Sequence, residues 1–321
     1  MKIERVIVIG GSGFVGRAVA NRLTEANIDV IVPTRHVDRA RDLTLLPTVE
    51  VVQADVHDEA TLRSLFDGAD AVVNLVGILH SRSGDPYGPD FARAHVELPR
   101  KIVTACRAMR VPRLVHVSAL GASPTGPSEY LRSKAAGEEA IRAAGHSPAW
   151  TVLRPSVIFG REDHFLNLFA RLACKVPVLP LAGMHTLFQP VYVGDVADVV
   201  LHCLAHPPSA GQIYELAGPK VHALHELVEY VAELAGCHVL VVPQPEALAM
   251  LQARLMELSP NPIMSRDNVR SLRVDSLASG PPLPFGLTPT PVEAVAPSYI
   301  GNESQRARYY SLRNRQRYRQ D

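Results

Sequence analysis

The first apolar run in the chain, Arg5-Val6-Ile7-Val8-Ile9, breaks into Gly10-Gly11-Ser12-Gly13-Phe14-Val15-Gly16 and resumes as the helical pattern Arg17-Ala18-Val19-Ala20-Asn21-Arg22-Leu23. Apolar character on consecutive residues predicts a strand buried on both faces, and so a parallel sheet covered by helices on both sides. Short runs at 29–34, 49–53, 71–76, 113–117 and 150–154 alternate with amphipathic stretches. This alternation predicts an α/β fold, a Rossmann-type doubly wound parallel sheet. A strand near 212–216, a helix near 224–235 and a strand near 238–242 are expected to complete the sheet region. Pro99 falls inside a helix beginning near Phe91, where it removes a hydrogen bond and predicts a kink near Leu98.

Past residue 160 the pattern changes. Glu246 to Leu258 places Leu248, Leu251, Leu255 and Leu258 on one side of a helix, with Met250 and Met256 widening the apolar surface. Such a stripe fits either the core of a small lobe or a site for an isoprenoid or other long apolar ligand. The prolines between Pro281 and Pro297 predict an extended strap. The expected organisation is an NAD(P)-binding unit over 1–160, a mixed region over 161–300 that supplies sheet elements and a smaller substrate lobe, and a basic tail over 301–321.

At 321 residues and 47% hydrophobic content the chain can bury a sizeable core. Its net charge of +1 conceals a split, because Glu303–Asp321 holds six arginines against two acids. That tail is expected either to be solvated or to attach to an anionic membrane surface or acidic partner; with no recognised module beside it, nucleic acid is not expected. Cys106, Cys174, Cys203 and Cys237 lack CxxC spacing and are expected to be reduced core cysteines in a cytoplasmic protein. No secretory signal is expected before the first strand, and no apolar run reaches the roughly 18 residues of a membrane span. Membrane contact is therefore expected to be peripheral, on an inner face.

The chemistry gathers at strand ends. Gly10, Gly13 and Gly16 suit a sharp turn, close approach of backbone to a pyrophosphate, and helix packing, with Ser12, Phe14 and Val15 opening the helix N-terminus toward an anion. After the second strand comes Arg35, with Arg39 and Arg41 behind it and no acid, which favours NADP(H) over NAD(H); the alternative is a solvated arginine cluster on the next helix. Asp55 and Val56 close the third strand, where the carboxylate could meet adenine or cap the next helix. Leu75 and Gly77 end the fourth, and the polar loop from Gly77 to Asp90 is a candidate lid. His95 is expected to be either a buried polar residue near the active site or, by preference, an ordinary helix-face residue. Ser118 ends the fifth strand, and Tyr130 and Lys134 stand at i and i+4 on one helix face. The ammonium is expected to depress the phenol pKa, letting Tyr130 exchange a proton while Ser118 holds a substrate oxygen and Lys134 supports both. Asp195 is expected to cap a helix. The pairs His202/His206 and His222/His225 lack a third ligand, so no metal is expected.

These residues, with Leu153-Arg154-Pro155-Ser156 and Val193-Gly194-Asp195-Val196-Ala197, resemble the extended and atypical short-chain dehydrogenase/reductase superfamily over nearly the whole chain. Val117-Ser118-Ala119-Leu120-Gly121-Ala122, Tyr130-Leu131-Arg132-Ser133-Lys134-Ala135-Ala136-Gly137-Glu138, Gln189-Pro190-Val191-Tyr192-Val193 and Tyr214-Glu215-Leu216-Ala217-Gly218-Pro219 are similar to the nucleotide-binding accessory subunits of respiratory complex I and their bacterial relatives. The resemblance implies tight NADP(H) binding, a split substrate lobe and backbone from Pro155 beside the nicotinamide. It leaves two functions open: an oxidoreductase acting on an alcohol or carbonyl of an apolar substrate, and a nucleotide-bound accessory or assembly protein of a respiratory membrane complex. His95 stands where the superfamily usually carries asparagine.

Overall fold

The computed structural model describes residues 2–259 and 262–301. Its strands are β1 (Arg5–Ile9), β2 (Asp29–Thr34), β3 (Val49–Gln53), β4 (Ala71–Asn74), β5 (Arg113–Val117), β6 (Ala149–Pro155), β7 (Ile158–Phe159), β8 (Val178–Leu181), β9 (Leu187–Phe188), β10 (Val191–Tyr192), β11 (Gln212–Leu216), β12 (His222–Ala223) and β13 (Leu240–Pro243). Seven of these form one parallel sheet in the order β11-β6-β5-β4-β1-β2-β3. Side chains alternate across it. Val6 and Val8 pack with Val19, Ala20 and Leu23 of helix Phe14–Glu25 and Val196, Val200 and Cys203 of helix Val193–Ala205. Ile7 and Ile9 pack on the other side against Leu62 and Phe66, Leu98 and Ile102, and Ile141. The chain leaves β1 for β2 and β3, then returns to β4, so strand order reverses between β1 and β4 and a crevice opens at their C-terminal ends.

The helix carrying Pro99 runs over 89–108, and the break expected near Leu98 takes the form of a π-helical turn, Ala92–Glu97, just before the proline. Pro99 offers no N–H to the His95 carbonyl. A Cβ at Gly137 would stand 2.1 Å from that oxygen, so the glycine lets the neighbouring helix Glu129–Arg142 close over it.

Beyond β6 the chain builds a lobe around Phe159, Leu166, Leu181, Leu227, Val228, Val231 and Tyr299. The strand expected near 238–242 does not join the main sheet; it is β13, paired in parallel with β8 in a separate two-stranded sheet. Asp195 does not cap its helix, whose N-cap is Tyr192. Its carboxylate accepts from Thr290 N–H (2.7 Å) and Oγ1–H (2.8 Å), pinning the proline-rich strap to the sheet half. Asp163 is the lobe's own junction, accepting from the N–H groups of Gly160 (3.1 Å), Phe165 (2.9 Å) and Asn167 (3.1 Å) and from the Tyr299 hydroxyl (3.0 Å).

Two expectations are corrected here. Cys174 and Cys237 form a disulfide with a Cα–Cα distance of 5.2 Å; 63 residues separate them, and only the packing of helix Leu166–Ala173 against helix Leu224–Leu234 brings them together. Cys106 and Cys203 are free and buried. The leucine stripe is not lobe core either: Leu248, Leu251, Leu255 and Leu258 are 56–83% exposed, while Ala249 and Ala253 of helix Glu246–Met256 are fully buried against Val269. Small side chains on one face let that helix approach its neighbour closely, which turns the leucines outward. Among the described residues no helix is long and apolar enough to cross a membrane, and the arginine-rich tail lies outside them.

Candidate active site

At the end of β1, Gly10 adopts φ +84°, and a Cβ at Gly16 would lie 2.4 Å from the Gly10 carbonyl oxygen, so turn and helix close together only with glycine at both positions. Helix Phe14–Glu25 starts at Gly13 with no side-chain cap and no acid in its first turn. Its N–H groups therefore face the crevice with the positive end of the helix dipole. Gly13 is exposed, with Ser12, Phe14 and Val15 half-buried around it. Leu75 and Gly77 follow β4 across the crevice. Arg35 is exposed beyond β2 and has no carboxylate partner among the described residues, whereas Arg41 pairs with Asp38 at 2.6 Å. Asp55 accepts from His57 N–H (3.0 Å); the cap of helix Glu59–Phe66 is Asp58, which accepts from Thr61 N–H at 2.8 Å. The exposed Asp55 stands beside the half-buried Val56. Pro155 is buried, and its carbonyl accepts from Leu120 N–H at 2.9 Å.

Ser118 follows β5 directly. Its backbone N–H donates to the Leu153 carbonyl at 2.7 Å, yet its hydroxyl is buried with no hydrogen-bond partner among the described residues. Lys134 is 4% exposed; its Nζ donates to the Val117 carbonyl at 3.2 Å and lies 5.9 Å from the Tyr130 ring centroid. A Cβ at Gly77 would come within 3.2 Å of that Nζ. Burial pulls Lys134 down to about 8 against the opposing pull of Glu138, whose carboxylate is held by Arg154 in a two-point pair of 2.8 and 2.6 Å. Burial pushes the Tyr130 phenol up to about 12. That reverses the expected depression: in this cleft, loss of solvation around a phenolate outweighs the neighbouring ammonium.

His95 takes the buried alternative and not the preferred helix-face one, being 2% exposed. Ile78 N–H donates to its Nε2 at 3.0 Å, which makes Nδ1 the donor to Ser133 Oγ at 2.8 Å. Ser133 in turn donates to the Tyr130 carbonyl at 2.8 Å. Burial and the Lys134 charge hold His95 neutral, down to about 2. A polar bridge thus joins the loop after β4 to the helix carrying Tyr130.

Sequence reasoning missed the residues that place that helix. Asp267, on helix Arg266–Ser271, accepts from the N–H groups of Glu129 (2.7 Å) and Tyr130 (2.9 Å). Glu129 Oε2 accepts from Gly84 N–H (3.0 Å) and Gly88 N–H (2.9 Å), and Arg132 Nε donates to the Pro86 carbonyl (2.8 Å). The segment expected as a lid is therefore fastened over the start of the Tyr130 helix as a wall. An Asp and a Glu more than 130 residues apart leave no local signal; the N-cap Ser128, accepting from Leu131 N–H at 3.3 Å, is a local signal that the sequence reading passed over. Asn74 donates to His116 Nδ1 at 3.0 Å beneath the site, and His116 is held down to about 3 by burial and Lys134. His202 and His206 pack on Phe285, and among the described residues no three potential ligands gather for a metal.

Comparison with known proteins bears on the family and the fold. Residues 6–217 match the NAD dependent epimerase/dehydratase family. The chain is 34% identical over 299 residues to the mitochondrial NADH dehydrogenase [ubiquinone] 1 alpha subcomplex subunit 9 of Rattus norvegicus, covering 89% of this chain and 77% of that protein. It is 32% identical over 193 residues to the ceramide reductase of Caulobacter vibrioides, covering 60% of this chain and 58% of that one. Among solved structures, the NADPH-dependent quinone oxidoreductase of Escherichia coli bound to NADPH superposes with a TM-score of 0.71 at 19% identity, over 94% of this chain and 99% of that one, a likeness of fold. An uncapped helix behind a glycine turn, a doubly wound sheet and a match spanning both make the chain a member of the NAD dependent epimerase/dehydratase family.

Proposed function

We propose that the protein is an NADP(H)-dependent oxidoreductase acting on an alcohol or carbonyl of a largely apolar substrate through Ser118, Tyr130 and Lys134. The observation that carries this reading is the Ser118 hydroxyl: buried polar groups are as a rule hydrogen-bonded, and this one, directly after β5, has no partner among the described residues. In this reading Gly10, Ser12, Gly13, Phe14, Val15 and Gly16 hold the pyrophosphate and Arg35 the 2′-phosphate. Asp55 and Val56 flank adenine, and Leu75, Gly77 and Pro155 line the path to the nicotinamide ribose, where Tyr130 and Lys134 bind. Bound there, the nicotinamide supplies or accepts the hydride. With its pKa raised to about 12, Tyr130 stands as a neutral phenol at pH 7 and gives its hydroxyl proton to a substrate carbonyl oxygen in the reducing direction. Lys134, mostly cationic at that pH, stabilises the phenolate left behind, and Ser118 donates to the same substrate oxygen.

Two relatives are named as reductases, for ceramide and for azo compounds with NAD(P)H, and they support reduction of an apolar substrate. The 34% identity to a respiratory NADH dehydrogenase subunit over 89% of the chain favours a second reading, a nucleotide-bound accessory or assembly protein of a respiratory membrane complex. Identifying the copurified nucleotide, assaying NADPH oxidation against long-chain carbonyls, and affinity capture from membranes separate them. Bound NADP(H) with carbonyl-dependent oxidation is the expected outcome. Bound nucleotide without turnover, in a captured respiratory complex, would replace the first reading by the second.

A further inference from the structure

We propose that the leucine face of helix Glu246–Met256 seats the protein on an anionic phospholipid bilayer. At 100° per residue, Leu248, Leu251 and Leu255 fall within about 60° of arc, roughly opposite the buried Ala249 and Ala253. They are 56%, 56% and 62% exposed, and Leu258 in the following turn reaches 83%. At such exposures the side chains stand out from the surface instead of lining a groove, which suits a fluid apolar layer better than a shaped protein partner.

The charges around the face match an anionic surface. Glu246 is taken by Arg273 (3.0 Å) and Glu257 by Arg266 (2.8 Å), while Arg254, on the flank of the stripe, has no carboxylate partner among the described residues. The net charge left open is positive. Twenty residues follow Gly301, and their six arginines against two acids supply a second, electrostatic membrane element, the pairing that reversible attachment requires.

The seat is also fixed to the site. Glu257 accepts from Arg266 N–H (2.7 Å), and the same helix, Arg266–Ser271, caps the Tyr130 helix through Asp267 and donates from Asn268 to the Leu79 carbonyl (3.4 Å). Leu79, 53% exposed and two residues after the Gly77 that meets Lys134 Nζ, carries apolar surface toward the cleft. A membrane at this face would lie along the rim through which a lipid reaches Tyr130; that last step alone rests on the oxidoreductase reading.

The test is flotation of the full-length protein with vesicles of equal parts phosphatidylglycerol and phosphatidylcholine, which needs no substrate or turnover. The pair Leu251→Glu/Leu255→Glu should lose at least tenfold in bound fraction. Leu45→Glu, the same change at an 84% exposed leucine before β3, should lose nothing. A polarity-sensitive fluorophore on Leu255→Cys should brighten and shift to the blue on these vesicles, and one on Leu45→Cys should not. Wild-type protein that stays unbound, a charged pair that floats like wild type, a silent label at 255, or a stripe whose substitution dissolves a dimer and leaves flotation intact would each overturn the seat.

Discussion

On the nucleotide side of the cleft, Val6, Ile7, Val8 and Ile9 have no exposed surface, and the functional positions follow as the next residues after each strand. On the opposite side, Asp267 fixes the Tyr130 helix, Asp163 gathers four donors and Asp195 holds the strap. The first side is held by apolar area spread over many residues, so single losses are diluted. The second is held at discrete junctions, each a buried carboxylate whose removal leaves two or more donors unsatisfied. Binding should therefore survive changes that disable chemistry, and the reverse pairing should be rare.

The sharpest break between the two sides is Tyr130→Phe, which removes the hydroxyl that carries the transferable proton. Turnover with a genuine substrate should fall about 10²- to 10⁴-fold, with a far smaller loss of nucleotide affinity by isothermal titration, limited to the one ribose contact. Retained turnover would remove Tyr130 as the acid.

Lys134→Met asks whether the site is strained for function. Burial depresses Lys134 from 10.5 to about 8, so between those pH values the folded protein holds fewer protons than the unfolded one, and wild-type stability rises with pH. Below about pH 8 the buried charge costs up to roughly 3 kcal/mol. The variant should accordingly be more stable than wild type by as much as that at pH 7, with the gain vanishing above 10.5, in denaturant melts across pH. A gain that does not depend on pH would mean that packing, not charge, is the cause.

Asp267→Ala should lower stability by about 2 kcal/mol, since two helix N–H groups lose their acceptor, and should reduce turnover while leaving the nucleotide bound. Equal loss of nucleotide affinity would show that the two sides are not separable. The smallest effect is expected at Arg35→Glu: NADP(H) should weaken about tenfold, roughly 1.4 kcal/mol, with NAD(H) nearly unaffected. Matching losses for both would withdraw the 2′-phosphate assignment.

The same division decides what could be read without coordinates. β1, β2 and β5 fall on their apolar runs, because a parallel strand buried on both faces writes itself as consecutive residues. Ser118, Tyr130 and Lys134 could be proposed from strand-end position and helical spacing alone. Asp267, the Cys174–Cys237 bridge and the inward turn of His95 could not, since each depends on elements meeting across long stretches of chain. The leucine stripe misled for a different reason: periodicity identifies an apolar face but does not say whether anything in the same molecule covers it.

The π-helical turn at Ala92–Glu97 turns chain length into orientation. Relative to an α-helix it accommodates one extra residue, which displaces everything upstream by about 100° of helical phase while Leu98, Ile102 and Cys106 keep their register on the sheet. A one-residue deletion there would change no chemistry in the sequence, yet it would rotate His95 away from Ile78 and Ser133. Alignments that score only which residues are present would pass such a gap as neutral, although the bridge across the cleft depends on it.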